Sequence, residues 1–358
     1  MVGQWTSRVC VLSLTASLLW TSGCFSESSE QVTFDEDDVI LNGDLTTVGG
    51  SSSLDGAPNS EPGQLLSGLS EPAVHALVKR VTQTLTQSSP DGLETSQAQL
   101  SCWFEVRVEP LGEGDSSYRV TYQRISYSHT LPGESLRYDT SETSSPVPPT
   151  LAHLQALSRS GFAFCTRGGG TSIELTEVPA SVFDGDLKGA AAAEFVSDQI
   201  GLVLLGKGTT AATTAATTAA PIAQTRHIES PVPMNVSTRY SIKATGQGTV
   251  TLDMLGSVSS PQEATRVQLL GGSASVKLGG GHAFGELTID TSSGVTTHAD
   301  WNRYIEISLR TESAERIDQR KHEMVTIRVA GSSAEPPPVA AGLGQPAAAP
   351  AQPVGVGR

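Results

Sequence analysis

Cysteine and long apolar segments are both scarce in this chain of 358 residues. Its four Cys never stand in the C-x-x-C spacing that is typical of metal sites. The charge-free run near the amino terminus, from Val9 to Trp20, has 12 residues, whereas a membrane-spanning helix needs about 20. The run is therefore too short to cross a bilayer, but it suits the apolar part of a secretory signal.

Positive charge is scarce as well, because 23 Lys and Arg stand against 37 Asp and Glu, for a net charge of −14. Between Phe25 and Val78 the chain has ten acidic residues and no Lys or Arg. This balance excludes nucleic acid as a partner, since that affinity comes from Lys and Arg displacing counterions. Residues 24–71 combine negative charge with low hydrophobicity, which predicts a disordered acidic tether.

Three small residues, Thr21 to Gly23, separate the apolar run from Cys24. This ending resembles a bacterial lipoprotein signal, although that pattern usually has Leu where Thr21 stands. The resemblance implies a signal peptide over residues 1–23, cleavage between Gly23 and Cys24, and attachment to the membrane through an acylated Cys24. Because Phe25 is not the Asp that retains lipoproteins at the inner membrane, it also implies export to the outer membrane. The alternative is an ordinary cleaved signal followed by an incidental Cys.

The remaining cysteines permit one disulfide. Cys10 leaves with the signal, so Cys102 and Cys165 could be bonded in an oxidising envelope. Cys102 shares the apolar face of its strand, whereas Cys165 alternates with Phe162 and Phe164 and should point away from them. Two buried free thiols are therefore the alternative.

Hydrophobic periodicity predicts a mainly β protein. In "AQLSCWFEVRV" the apolar residues recur at every second position, as in a half-buried strand. We expect an antiparallel curved sheet or open barrel over residues 72–330, packed with helices near 150–160 and 186–205. The repeat "TTAATTAATTAA" marks a low-complexity insertion at 208–221. The Pro/Ala-rich tail, 331–358, is expected to be disordered.

The order of strand and turn segments is similar to that of a known family. The segments are "VTQTLTQ", "LSCWFEVRVEPLGEGDSSYRVTYQRI", "FAFCTRGGGTSIELTEV" and "GGGHAFGELTIDTSSGVTTHADWNRYIEISL". They resemble a bacterial envelope family known only as domain of unknown function number 6263, over residues 72–330. That family usually has an uninterrupted middle, from which the Thr/Ala insertion departs. The resemblance implies a fold and an envelope location, and it assigns no functional residues.

Catalytic and metal-binding motifs are missing from the sequence. "GLVLLGKG" lacks the Ser or Thr that a phosphate-binding loop needs after its Lys. The seven His have no metal-ligand spacing. His298 and Asp300 share one face of a strand, and they could form a cluster if His322 paired beside them, although solvated polar residues explain them better. We therefore predict no catalytic residue, no metal and no cofactor.

Two functions fit these observations. The first is a non-enzymatic binding or scaffold protein, for a lipid, another apolar ligand or an envelope-protein partner. The second is a glycan-directed envelope hydrolase that uses paired carboxylates and has no short motif. An apolar cavity favours the first function, and a polar cleft with two carboxylates about 5–10 Å apart favours the second.

Overall fold

The fold is known from a computed structural model of the chain. It describes residues 63–64, 71–89, 92–112, 114–131, 133–142, 147–168, 172–183, 185–203, 210–211, 222–228, 232–260, 264–269, 272–311 and 315–331. The predicted signal peptide with its cleavage site at Gly23–Cys24, most of the predicted tether and insertion, and nearly all of the tail lie outside the described residues.

The described chain is mostly antiparallel β structure, which confirms the predicted fold class. The strands are β1 Gly63–Gln64, β2 Ala73–Ser89, β3 Gly92–Gly112, β4 Asp115–Leu131, β5 Glu134–Asp139, β6 Phe162–Arg167, β7 Ser172–Glu177, β8 Thr210–Ala211, β9 Ile222–Ile228, β10 Met234–Gly246, β11 Thr249–Ser259, β12 Thr265–Leu269, β13 Gly272–Asp290, β14 Thr296–Thr311 and β15 Arg316–Val329. The helices are α1 Ala152–Ser160, preceded by a 3-10 turn at Pro149–Leu151, and α2 Ala190–Ile200.

Thirteen of these strands form one sheet in the order β7-β6-β4-β3-β2-β15-β14-β13-β11-β10-β9, with β5 beside β4 and β12 beside β13. The two-residue strands β1 and β8 pair only with each other. Within the sheet the first and last long strands, β2 and β15, pair with each other. The paired segment begins where Leu77 lies opposite Val329 and ends where Ser88 lies opposite Asp318. This pairing joins the amino-terminal and carboxyl-terminal halves of the domain into one surface.

The sheet curves strongly. Strands β3 and β10 are six places apart in the sheet order, or roughly 29 Å at the usual strand spacing. Yet Cys102 of β3 and Tyr240 of β10 line the same cavity. Bulges that interrupt the register of β3–β4, β10–β11 and β13–β14 provide the bends.

Both helices pack on the concave face of the sheet. Leu154 and Leu157 of α1 and Phe195 of α2 are almost fully buried in one core with the inward residues of both halves. The rings of Phe162 and Phe195 meet edge to face, with 5.1 Å between their centroids. Burying an aromatic or Leu side chain stabilises the fold by about 1.5–3 kcal/mol, so these contacts hold the helices against the sheet.

The concave face carries a second apolar core further along the strands. It includes Ile305 and Ile307 of β14 and Ile317 of β15. Between the two cores lie the inward polar side chains of Arg303 on β14 and of Gln319, Lys321 and Glu323 on β15. A polar band therefore crosses an otherwise apolar surface.

Candidate functional site

A cavity of about 180 Å³ lies between the concave face and the two helices. Its wall is formed mainly by apolar side chains from several strands and α1, among them Val81, Leu100, Ile125, Leu154, Leu157 and Val325. These residues face inward because each lies at an apolar position of its alternating strand or on the buried face of the helix. The cavity is smaller than the 300–1,000 Å³ of a typical drug-sized site, which suits one narrow ligand.

One edge of the cavity is the polar band. Arg303, Glu323 and Gln83 stand opposite one another on β14, β15 and β2. Arg303 Nη2 donates to Glu323 Oε1 at 2.7 Å, and Gln83 Nε2 donates to Glu323 Oε2 at 2.7 Å. Lys321 Nζ lies 3.4 Å from Glu323 Oε2. We call these four residues the Arg303 cluster.

The cluster contains charges that are almost completely buried. The side chains of Lys321 and Glu323 are 3% and 6% exposed. Burial opposes ionisation of Glu323, but Arg303 and Lys321 outweigh it and lower the pKa of that carboxyl to about 2. Burial lowers the pKa of Lys321 to about 8, against the attraction of Glu323. At neutral pH Glu323 is therefore an anion, and Lys321 is mostly protonated.

The end of α2 closes another side of the cavity. Lys79 of β2 donates its ammonium protons to the backbone carbonyls of Asp198 and Gln199, where the helix leaves carbonyls without intrahelical partners. Tyr122 donates its hydroxyl proton to Gln199 Oε1 at 2.9 Å. Burial lowers the pKa of Lys79, and nearby anions including Asp198 oppose that effect. Lys79 thus fixes the last turn of α2 over the sheet.

Gly201 ends α2 at the rim of the cavity. Its φ of +70° is a left-handed conformation, and its N–H donates to Ser197 O at 2.8 Å. Thr296 donates its hydroxyl proton to Gly201 O at 2.7 Å. A Cβ at position 201 would lie 2.6 Å from Ile327 Cδ1. Glycine is therefore required here both by the backbone conformation and by the close contact with the sheet.

Cys102 and Cys165 are separate buried thiols in the structure. Cys102 pairs with Ile125 and Cys165 with Ser117, eight positions apart along β4, or roughly 26 Å at the usual rise per residue. A disulfide needs its Cβ atoms about 4 Å apart, so the two thiols cannot meet without a rearrangement of β4. Burial raises the pKa of Cys102, which lines the cavity, to about 12.

The three residues considered for a metal cluster have other partners. His322 Nε2 lies 3.0 Å from Asn302 Oδ1, and Asp300 pairs with Arg328 at 3.3 Å. His298 pairs in register with Thr288 of β13, away from His322, whose neighbour on β14 is Tyr304. Among the described residues, no three His, Cys, Asp or Glu side chains lie close enough to hold a metal ion.

The Arg303 cluster and Lys79 were not predicted from the sequence. A signal for them is present in the strand alternation: Lys321 and Glu323 share the parity of Val325 and Ile327 in "KHEMVTIRV". Lys79 likewise lies between Leu77 and Val81 at inward positions. A charged residue at an apolar phase of a strand indicates a buried charge, which is rare unless it is paired or functional.

Fold and site together define an open antiparallel sheet that curves around two helices and a partly open, mainly apolar cavity, with polar groups at the Arg303 cluster and at the end of α2. None of the helices in the described ranges is long and apolar enough to cross a bilayer. Neither a protein-family model nor a curated protein matches the chain. The similarity to the envelope family of unknown function therefore stays a prediction.

Solved structures match the chain at low TM-scores. A structure of lipovitellin and its lipid–protein interactions has a TM-score of 0.37 at 10% identity; it covers 74% of this chain, which spans 26% of that protein's chain. A DUF1329 family protein from Desulfovibrio piger has a TM-score of 0.14 at 8% identity and covers 71% of this chain and 86% of its own. A putative outer membrane lipoprotein-sorting protein domain from Vibrio parahaemolyticus has a TM-score of 0.13 at 7% identity. That match covers 72% of this chain and 87% of the chain of that protein. TM-scores of this size do not establish a shared fold.

Proposed function

We propose that this chain is a non-enzymatic binding protein of the bacterial envelope, anchored through an acylated Cys24, whose β domain holds an apolar or amphipathic ligand. The observation that carries the binding proposal is the cavity of about 180 Å³ on the concave face, with its mainly apolar wall. Enclosed apolar pockets with a few polar groups are the usual form of small-molecule sites. The size of the cavity favours a single acyl chain or a ligand of similar width.

The surroundings of Glu323 favour binding over glycan hydrolysis. Glycosidases need one carboxyl that stays protonated near neutral pH to act as an acid. Glu323 lines the cavity, but its cationic neighbours hold its pKa at about 2. Both of its carboxylate oxygens also accept hydrogen bonds, one from Arg303 and the other from Gln83. Glu323 is therefore a charge partner within the protein and is poorly suited to donate a proton to a substrate.

The binding proposal is tested by native mass spectrometry of the full chain carrying Cys24→Ser, isolated from its own envelope fraction so that no anchor lipid is counted. We expect a bound apolar or amphipathic molecule in addition to the protein mass. Leu100→Trp, which places a large side chain in the cavity wall, should remove it. Leu255→Trp on the opposite face, where Leu255 is 64% exposed, should retain it. A bare protein mass before any cavity substitution would contradict the proposal.

The anchor is tested by detergent phase partitioning. The unmodified chain should enter the detergent phase, because two or more acyl chains bind a membrane stably. Cys24→Ser should move it to the aqueous phase. Cys10→Ser, a change within the predicted signal peptide, should leave the partitioning unchanged. If the unmodified chain already partitions to water, Cys24 carries no lipid anchor.

A further inference from the structure

The Arg303 cluster has more positive than negative charge. Arg303 and Lys321 are cations, whereas Glu323 is the single carboxylate among the four residues, so the cluster has a net charge of +1 when all three groups are ionised. The other charged residues that line the cavity, Lys79 and Asp198, carry opposite charges and add nothing to this balance. Burial of an uncompensated charge is costly. The cluster therefore carries an excess of positive charge, and Arg303 is the cation of the cluster that lines the cavity.

The hydrogen bonds of the cluster lead to the same conclusion. Arg303 Nε is buried and has no hydrogen-bond partner among the described residues, and Lys321 Nζ has only its ion pair with Glu323 at 3.4 Å. Both atoms are donors only. A buried donor without a partner is costly, and more so when it is charged. Only a hydrogen-bond acceptor can therefore complete the pairing of Arg303 Nε.

Arg303 is the residue through which the unpaired donor of the cluster reaches the cavity. Its side chain lines the cavity, and the guanidinium lies over the Trp301 ring with 5.6 Å between Cζ and the ring centroid. Its Nη2 donates to Glu323, whereas its Nε has no hydrogen-bond partner among the described residues. The guanidinium therefore keeps donor capacity for a group inside the cavity. Arg is well suited to bind carboxylate or phosphate through two parallel hydrogen bonds.

We propose that the ligand of this cavity is an anionic amphiphile, whose carboxylate or phosphate binds Arg303 while its tail lies along the apolar wall. This inference rests on the proposed binding function and adds the chemical class of the ligand. Carboxylate and phosphate share the chemistry required, namely negative charge and several acceptor oxygens. A free fatty acid and a lipid headgroup are the two sources that the experiment separates.

The test uses the full chain carrying Cys24→Ser and a matched pair of fluorescent probes, cis-parinaric acid and its methyl ester. The two have the same chain, but only the acid carries a charge. We expect the acid to bind about tenfold or more tightly than the ester, the size of one charged hydrogen bond. Equal affinities would overturn the inference and leave the proposed function intact. If neither probe binds, the proposed function fails and the inference with it.

Substitutions assign the preference to Arg303. Arg303→Gln should lower affinity for the acid to that for the ester and leave the ester unchanged. The control, Arg320→Gln, removes a cation that is 80% exposed, and it should change neither affinity. Arg303→Gln with Glu323→Gln removes both charges of the pair and provides a second variant if the single one does not fold. An acid preference that survives in either variant would contradict the assignment to Arg303.

Competition identifies the source of the acid group. Oleate offers a carboxylate, oleoyl lysophosphatidylglycerol a phosphate, and monoolein the same acyl chain without charge. Stronger displacement of cis-parinaric acid by oleate assigns a free fatty acid, and stronger displacement by the lysophospholipid assigns a lipid headgroup; both support the inference. Displacement by monoolein as effective as that by the two acids would refute it.

Discussion

Glu323→Gln is the substitution that most directly tests the buried charge arrangement. The carboxylate accepts hydrogen bonds from Arg303 and Gln83 at 2.7 Å and lies 3.4 Å from the Lys321 ammonium. An amide keeps the shape of the side chain but removes its charge. Arg303 and Lys321 then face each other in the interior with no anion between them.

The expected loss of stability follows from two separate considerations. Removal of one partner from a buried ion pair typically costs about 3–5 kcal/mol. The pKa of Glu323 falls from 4.5 to about 2 on folding, which corresponds to about 3 kcal/mol of preference for the charged form. Both considerations agree on about 3 kcal/mol at neutral pH. For a domain of this size that loss lowers the Tm by roughly 10 °C.

The sign of the pH dependence is a further part of this prediction. A depressed carboxyl pKa contributes stability that is fully present above pH 4.5 and is lost as the pH falls towards 2. The difference in urea midpoint between the unmodified chain and Glu323→Gln should therefore be constant from pH 5 to 7 and should shrink below pH 4.5. Glu306→Gln is the control, because Glu306 pairs with Arg320 on the exposed face. It should change stability by no more than about 0.5 kcal/mol. Equal stability of the Glu323 variant and the unmodified chain at pH 7 would refute the reasoning.

Three further predictions follow from the site and its rim. The pKa of Lys321 falls from 10.5 to about 8 on folding, so the unfolded chain binds more protons than the folded chain between these pH values. Urea midpoints should therefore rise from about pH 8 to 10. The same rise of the urea midpoint with pH in a Lys321→Met variant would count against this. Gly201→Ala should lower the free energy of unfolding by about 1–3 kcal/mol more than Gly248→Ala. Both glycines have positive φ, but only at position 201 would the added Cβ meet a neighbouring side chain. Equal decreases in Tm for the two variants would exclude the close contact. Without reductant, Cys102 and Cys165 should be unreactive to a thiol reagent in the native state and both reactive in urea; an absence of reactive thiols in urea would show a disulfide.

Part of this fold could be predicted because strand patterns are local. The alternation from Ala98 to Val108 specifies which side chains of β3 face inward whatever the strand pairs with. The Leu spacing of α1 similarly specifies its buried face, and the helix occupies residues 152–160 within the predicted 150–160. The second predicted helix, 186–205, is shorter in the structure, at 190–200, because Gly189 and Gly201 bound it.

The candidate site could not be predicted in the same way. Gln83 and Glu323 lie 240 positions apart in the chain. Neither local segment contains information about which residue the other will contact. Strand alternation places both on the inward face, but the pairing of β2 with β15 decides that they share one row. The cavity itself needs residues of β3 and β10 to approach each other, which only the curvature of the whole sheet brings about.

The amino-acid sequence by itself determined the alternation of the strands, the main class of the fold and the acidic balance of the chain, since each depends on neighbouring residues or on composition. Only the tertiary structure decided that three charged residues, Arg303, Lys321 and Glu323, lie together, and that Arg303 and Glu323 line the cavity with Arg303 Nε left unpaired. The physical reason is that a charge on a strand has no partner until the sheet is assembled. Long-range pairing then decides whether it is neutralised or left available to a ligand.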